Sequence, residues 1–388
     1  MPVARPAVGE GEGVPLSYGR DLEGQYAVYR LRPGEALYSA VVVRFTGQLH
    51  AAEVNATAAV IARRSGIRDV TAIPIGYPVK IPADLLLPEY LPPENPRRVA
   101  WERERKELGR FVEVVRAADL TGVHVILDAG HGGADSGASV AGVWESTYAY
   151  DLLCRVKHDL EQHTKATVWT TLKDEDRGYR VLDEDVLDQD RDQVLLTHPP
   201  YRLGDPTTGV HLRWYLANDI IRGLLSSGVP RSKIVFLSIH ADSLHPSVRG
   251  AMAYVPSRYL RPKSFEVGRR VMREFREYRR HPRVRFSTKL KARTEASSRR
   301  LAERIIDAVR REGLEVHPYE PIRDSVLRGR RRWVPAVLRY SLAQNAVLIE
   351  CCNLGNKKDR HLLLQRSWRE RFARAVVGGV ANTYANGS

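Results

Sequence analysis

Cysteine is scarce in these 388 residues, and the three present, Cys154, Cys351 and Cys352, cannot staple a chain of this length into a disulfide framework. No CxxC spacing offers a thiolate metal site. All three read as small buried residues, with the adjacent Cys351 and Cys352 poorly placed to bridge each other. Apolar runs are short as well. None approaches the roughly 18 residues a membrane-spanning helix needs, and the first residues, MPVARPAVGEGEGVPLSYG, lack the apolar core of a secretory signal. There is no GxSxG elbow and no Cys/His pair, which removes the usual nucleophilic hydrolase chemistries. Wholesale disorder is excluded too, because 43% of residues are hydrophobic and 28% charged, the proportions of a globular chain.

What the chain has in excess is positive charge. Its formal net charge is +15, and residues 261–300 alone carry 15 Lys/Arg against 4 Asp/Glu. Such a balance favours anionic partners. Nucleic acid is not expected among them. Only Phe275, Tyr278 and Phe286 lie near the basic run, too few for a stacking platform, and no RRM, KH or zinc-finger spacing occurs. An exposed amphipathic helix explains the run equally well.

Length predicts two domains. Residues 1–24, rich in Gly, Pro and charge, read as a flexible lead. Residues 25–83 read as a strand, two short helices and a closing strand. This segment resembles a LysM domain through Tyr26-Ala27-Val28, Gly34-Glu35-Ala36-Leu37 and Gly76-Tyr77-Pro78-Val79-Lys80-Ile81-Pro82, although Glu35-Ala36 departs from the family's Asp-Thr. That resemblance implies a small α+β module that binds wall glycan. Residues 84–121 then form a Pro-rich linker and a charged connector, helical or hairpin.

From residue 122 to 388 apolar strands alternate with amphipathic helices. The pattern predicts an α/β domain with a largely parallel, twisted sheet flanked by helices. Strands are expected at 124–128, 166–171, 233–239, 251–255 and 346–350, and helices at 146–162, 211–226, 297–312 and 360–380. Insertions interrupt the alternation near 173–205 and 257–295.

Three of these strands end in residues suited to metal chemistry. VILD runs into the Gly-rich turn around His131, IVFLSI delivers His240, and AVLI delivers Glu350. Ligands of open α/β sheets sit at the carboxyl ends of strands, so these termini are expected to share a cleft. Glu145, just before the next helix, is the fourth candidate. Catalytic zinc takes three protein ligands of this kind. His131, Glu145 and His240 would supply them, leaving Glu350 as general base.

DAGHGGADSGA, Glu145, SIHAD and VLIECCNLGN together resemble the zinc-dependent N-acetylmuramoyl-L-alanine amidases, amidase type 3, over roughly residues 122–385. The resemblance implies a phosphorylase/hydrolase-like fold and Zn2+ bound by His131, Glu145 and His240, with Glu350 in catalysis. The reaction it implies is hydrolysis of the amide joining N-acetylmuramic acid to L-alanine in peptidoglycan. Arg213, Asn218 and Asn356 match further family positions and are expected at the substrate. The substrate places the chain in the cell envelope, periplasm or extracellular space, and makes an anionic wall polymer the expected partner of the Arg-rich insertion. The alternative is a non-catalytic or activator-dependent peptidoglycan-binding scaffold on the same fold.

Overall fold

The computed structural model describes residues 16–112, 115–117 and 119–385. It divides into two compact units, Met1–Arg110 with Leu327–Arg331, and Phe111–Val326 with Arg332–Ser388.

The first unit is built on a three-stranded antiparallel sheet, β1 (Ser17–Asp21), β2 (Gly24–Arg30) and β3 (Pro78–Pro82), in that spatial order. Between β2 and β3 lie a wide-turn helical stretch, Leu37–Val43, continued by Arg44–Thr46, and then α1 (Ala51–Ser65). The strand-helix-helix-strand order is as the sequence pattern predicts. Two expectations are corrected. Of the lead, residues 1–15 lie outside the described residues, but Ser17–Asp21 form a paired strand rather than a flexible segment. The Pro-rich stretch is not a free linker either. Leu86 and Leu91 are buried, the Leu87 amide donates to the Phe45 carbonyl at 2.8 Å, and the rings of Tyr90 and Phe45 meet edge to face at 4.9 Å. Proline made this segment extended, while its leucines gave it a core to pack on. The first part of the undecided connector is helical, α2 (Pro96–Leu108), capped by the Asn95 side chain and started by a proline.

The second unit carries a six-stranded mixed sheet with a parallel core. Its strands are β4 (His124–Ala129), β5 (Thr167–Thr170), β6 (Ile234–Asp242), β7 (Met252–Tyr254), β8 (Ile322–Arg323) and β9 (Asn345–Asn353). Their spatial order is β8-β7-β9-β6-β4-β5. β9, β6, β4 and β5 run parallel, and β7 with β8 runs the other way. The central strands are buried almost throughout, as strands covered on both faces must be. The main helices are α3 (Glu145–His163), α4 (Pro206–Ser226), α5 (Thr288–Arg311), α6 (Lys357–Leu364) and α7 (Arg366–Ala385). After β4 the chain crosses to β5 on one side and then returns to β6 on the other. The carboxyl ends of β4 and β6 therefore flank a topological switch point, where open α/β sheets have room for a ligand.

Helix α3, which begins at Glu145, is held by a buried charge cluster. Asp151 pairs through one oxygen with Arg155 Nε at 2.8 Å and with Arg369 Nε of α7 at 2.8 Å, all three side chains being at most 3% exposed. The two arginines also donate to the carbonyls of Leu182, Glu184 and Asp185, which fastens the acidic insertion to the helices. Asp151→Ala would leave buried Arg369 without its carboxylate and Arg155 with only the longer contact to Glu370 at 3.5 Å. It is expected to cost about 3–5 kcal/mol, measured as the shift in a urea unfolding transition.

The basic insertion is also folded. Ser264–Glu266 pairs antiparallel with Arg283–Arg285, a short helix Arg276–Arg280 lies between them, and α5 starts at Thr288 behind a Ser287 cap. Arg261 is 2% exposed, lies 4.1 Å over the Phe286 ring and donates to the Arg339 and Ser341 carbonyls. Part of the cationic excess therefore serves packing.

Candidate metal and catalytic site

β4 ends in a turn that only small residues allow. The Gly130 amide donates to the Ile239 carbonyl at 2.7 Å, and a Cβ on Gly130 would sit 2.2 Å from the His240 ring. His131 follows in the left-handed region at φ 63°. That conformation costs a residue with a side chain about 1–2 kcal/mol. The turn is closed by paired bonds between the backbones of Gly132 and Asp135. Asp135 then orients the imidazole, its Oδ2 lying 2.9 Å from His131 Nδ1, while its other oxygen accepts from the Gly137 amide at 3.1 Å. A carboxylate only accepts, so Nδ1 carries the proton and Nε2 offers its lone pair. That Nε2 lies 3.4 Å from Glu145 Oε2.

Glu145, the first residue of α3, is 4% exposed. Its Oε2 accepts from the Ala138 amide at 2.9 Å; its Oε1 accepts from the Ala241 amide at 3.2 Å and lies 3.0 Å from His240 Nδ1. Burial raises its pKa, but His131 and His240 outweigh burial and hold the carboxyl below its ordinary value. For His131 the balance has the mirror form: burial lowers it, and Glu145 with Asp135 raises it above the ordinary imidazole value.

His240 stands at the end of β6. Its Nε2 is 3.1 Å from Ser238 Oγ, and Ser238 donates to Asp128 Oδ2 at 2.7 Å. Because the serine proton goes to Asp128, the serine oxygen can accept from Nε2–H, which would leave the Nδ1 lone pair for a metal held between His240 and Glu145. Asp128, fully buried, also takes bonds from Thr171 and from Arg213 Nη1 at 2.6 Å. Arg213 reaches further, to the carbonyls of Ala129 and His131. One buried Arg–Asp pair thus fastens the backbone of His131 and, through Ser238, the ring of His240.

The candidate ligand atoms of His131, Glu145 and His240 all lie within 4.8 Å of one another. Two imidazole lone pairs and an ionised carboxylate, each with its other atoms already bonded, form a donor set that fits zinc. Glu350 is the fourth candidate. It pairs with His240 across β6 and β9, is 7% exposed, and its Oε2 has no partner. Burial, then the carboxylates of Asp242 and Glu145, push its pKa well up. A buried carboxyl with one unbonded oxygen beside a candidate ligand cluster is the arrangement expected of a proton carrier.

Three residues expected at the substrate are bonded to protein groups. Arg213 is 4% exposed and spent on Asp128 and two carbonyls. Asn218 is fully buried, donating to the Tyr340 carbonyl at 2.9 Å and accepting from the Leu342 amide at 2.8 Å. Asn356 caps α6 through the amides of Lys358 and Asp359 and donates to the Pro246 carbonyl. Arg213 and Asn218 are thus engaged inside the fold, and Asn356 holds a helix start. Conversely, Asp128, Asp135 and Ser238 escaped notice in the sequence. A signal was present: Asp135 lies four residues after His131, and Ser238 lies two before His240, on the same face of its strand.

Gly137 offers a direct test of the cluster. At φ +65° its Cβ would lie 2.5 Å from the His131 ring and 2.7 Å from Glu145 Oε2, whereas Gly142, at φ +76°, has nothing within 4 Å. Gly137→Ala is expected to weaken metal binding by about 10- to 100-fold, read by competition with a chelating dye. Gly142→Ala carries a similar backbone cost and should leave metal binding unchanged.

Residues 125–382, well over half of the chain, match the N-acetylmuramoyl-L-alanine amidase family. Among solved structures, the chain is similar to the CwlD amidase from Clostridioides difficile in complex with the GerS lipoprotein, at 17% identity and TM-score 0.41, over 67% of this chain and 98% of that one. It is similar to the amidase Ami1 from Mycobacterium smegmatis at 18% identity and TM-score 0.40, over 69% and 98%. It is also similar to the amidase AmiC2 of Nostoc punctiforme at 18% and 0.39, over 67% and 96%. No curated protein sequence matches the chain.

Proposed function

This chain belongs to the N-acetylmuramoyl-L-alanine amidase family, and we propose that it hydrolyses the amide between N-acetylmuramic acid and L-alanine of peptidoglycan with zinc held by His131, Glu145 and His240. The observation that carries this reading is the convergence of these three donors next to Glu350, whose buried carboxyl has one oxygen without a partner. Bound zinc would supply Lewis acidity, making water a nucleophile near neutral pH and polarising the scissile carbonyl. The chain's own groups do the rest. Asp135 and the Ser238–Asp128 pair fix which nitrogen each histidine presents, and Arg213 stiffens the turn that carries His131. Glu350 takes a proton from the attacking water and returns it to the leaving amine of L-alanine. Its raised pKa suits the second half of that exchange, since a carboxyl that holds its proton can also deliver it.

A scaffold without activity is the weaker reading. A protein that only bound the wall would have no need of a buried carboxyl with an oxygen left unbonded, which costs stability. The strand-helix-helix-strand unit supports glycan anchoring by a LysM-like module, and the wall places the enzyme in the cell envelope or outside it. Exposed Lys263, Arg270, Arg273, Arg285, Lys289 and Arg293 give the insertion a cationic surface suited to an anionic wall polymer.

Digestion of purified peptidoglycan tests the reaction. The expected products are stem peptides with new L-alanine amino termini and no new reducing sugar ends. New reducing ends would assign a glycosidase instead, and soluble peptides lacking N-terminal L-alanine would assign a peptidase.

A further inference from the structure

The strand that bears Glu350 is irregular just beyond it. His240 of β6 pairs with Glu350 and Asp242 pairs with Asn353, so the one residue Ala241 faces two residues of β9, Cys351 and Cys352. Along a regular strand, neighbouring side chains point to opposite faces. The extra residue of a bulge breaks that alternation, and here it brings the two sulfurs to 3.8 Å, Cys351 Sγ donating to Cys352 Sγ. Both are free, buried thiols. The two cysteines, read from the sequence as poorly placed to bridge each other, are unbridged, but the bulge brings their sulfurs into contact, which strand periodicity alone does not reveal.

We infer that Cys351 and Cys352 form an oxidation site at which a hydroperoxide converts the two thiols into a vicinal disulfide that displaces Glu350. The sulfur of one cysteine takes the distal oxygen of the hydroperoxide as the O–O bond breaks and an alcohol leaves, giving a sulfenic acid. The sulfur of the other attacks it; the S–S bond forms, the S–O bond breaks, and the oxygen departs as water with the second thiol's proton. Two electrons pass from the sulfur pair to the peroxide, so no further reductant or oxidant is needed. The neighbouring sulfur acts as the resolving group without any large motion, which keeps the sulfenic acid from further oxidation.

Adjacent residues have Cα atoms about 3.8 Å apart, short of the roughly 4.4–6.8 Å of ordinary disulfides. The bond therefore forms only if the peptide between the two cysteines twists, and Glu350 is the residue before it. Strain of this kind also makes a disulfide easy to reduce, the property of regulatory rather than structural bridges. The consequence for turnover rests on the amidase reading of Glu350; the disulfide itself does not.

The test is to treat the full-length, metal-loaded protein with tert-butyl hydroperoxide, block free thiols under denaturing conditions, and map the tryptic fragment Tyr340–Lys357, which holds both cysteines and not Cys154. The expected fragment is unblocked and lighter by two hydrogens. Peptidoglycan turnover falls by about 100-fold, the scale of an ångström-level misplacement, and dithiothreitol reverses both changes. Cys351→Ala and Cys352→Ala keep their turnover under the same treatment. Blocking at both cysteines, added oxygen without hydrogen loss, or a bridge to Cys154 would overturn the proposal. So would single variants that lose turnover as the wild type does. The mass of the fragment decides the disulfide even if the protein proves to cleave another bond.

Discussion

Replacing Glu350 with glutamine is expected to reduce peptidoglycan turnover by about 10²–10⁴-fold, the usual worth of a positioned acid–base group, while bound zinc stays at the wild-type level. Glutamine keeps the shape and one oxygen but carries no proton to exchange. The same substitution should stabilise the metal-free fold, and the sign follows from the direction of the pKa shift. In the folded protein the Glu350 carboxyl is pushed above its ordinary value by burial and by Asp242 and Glu145, so folding favours its protonated form. The stability this gives is complete below the unfolded value, about 4.3, and is lost as pH rises through the folded value. Wild type and Glu350→Gln are thus expected to unfold at similar denaturant concentrations at pH 4, and the variant at higher concentrations at pH 8. Turnover lost together with zinc would make Glu350 a ligand. Turnover retained would remove it from the chemistry.

Arg213→Leu is the second large effect. The guanidinium is 4% exposed and holds Asp128 and the carbonyls of Ala129 and His131. Without it a fully buried carboxylate keeps only the hydroxyls of Ser238 and Thr171. Removing one partner of a buried ion pair costs about 3–5 kcal/mol, and loosening the support of metal-binding histidines costs about 10- to 100-fold in metal affinity. Both losses should appear together, in urea unfolding and in zinc competition. A residue that touched substrate would behave otherwise, raising KM with stability and zinc affinity intact. Arg213→Lys should fall between, since an ammonium keeps the charge but not the fork that reaches both the carboxylate and the carbonyls.

The contrast between these two residues marks how far the sequence could be read. The meeting of His131, His240 and Glu350 was legible because each closes an apolar strand, and parallel strands bring their carboxyl ends together; Glu145 joined them from its place at a helix start. Arg213 stands among family positions that surround the site, but whether it faces ligand or core depends on how α4 packs beneath the turn, which spacing does not encode. The protein contacts of Asn218 and Asn356 were hidden for the same reason. An asparagine that caps a helix and one that touches a sugar look alike in a sequence. The fold of the second unit was readable from its alternation of strands and helices. Leu86 and Leu91 show the opposite case, where proline content pointed to an extended linker and two buried leucines decided the packing. The bulge at Cys351 and Cys352 was invisible because it is a property of the pairing between β6 and β9, not of either strand alone.

The most direct test of the central claim is a titration of metal-free protein with zinc, scoring the release of L-alanine amino termini from peptidoglycan at each addition. The account predicts no turnover at the start, a linear rise, and a break at one zinc per chain, with His240→Ala remaining inactive throughout. Full turnover before any zinc is added, or activity that appears only with a second equivalent, would contradict it.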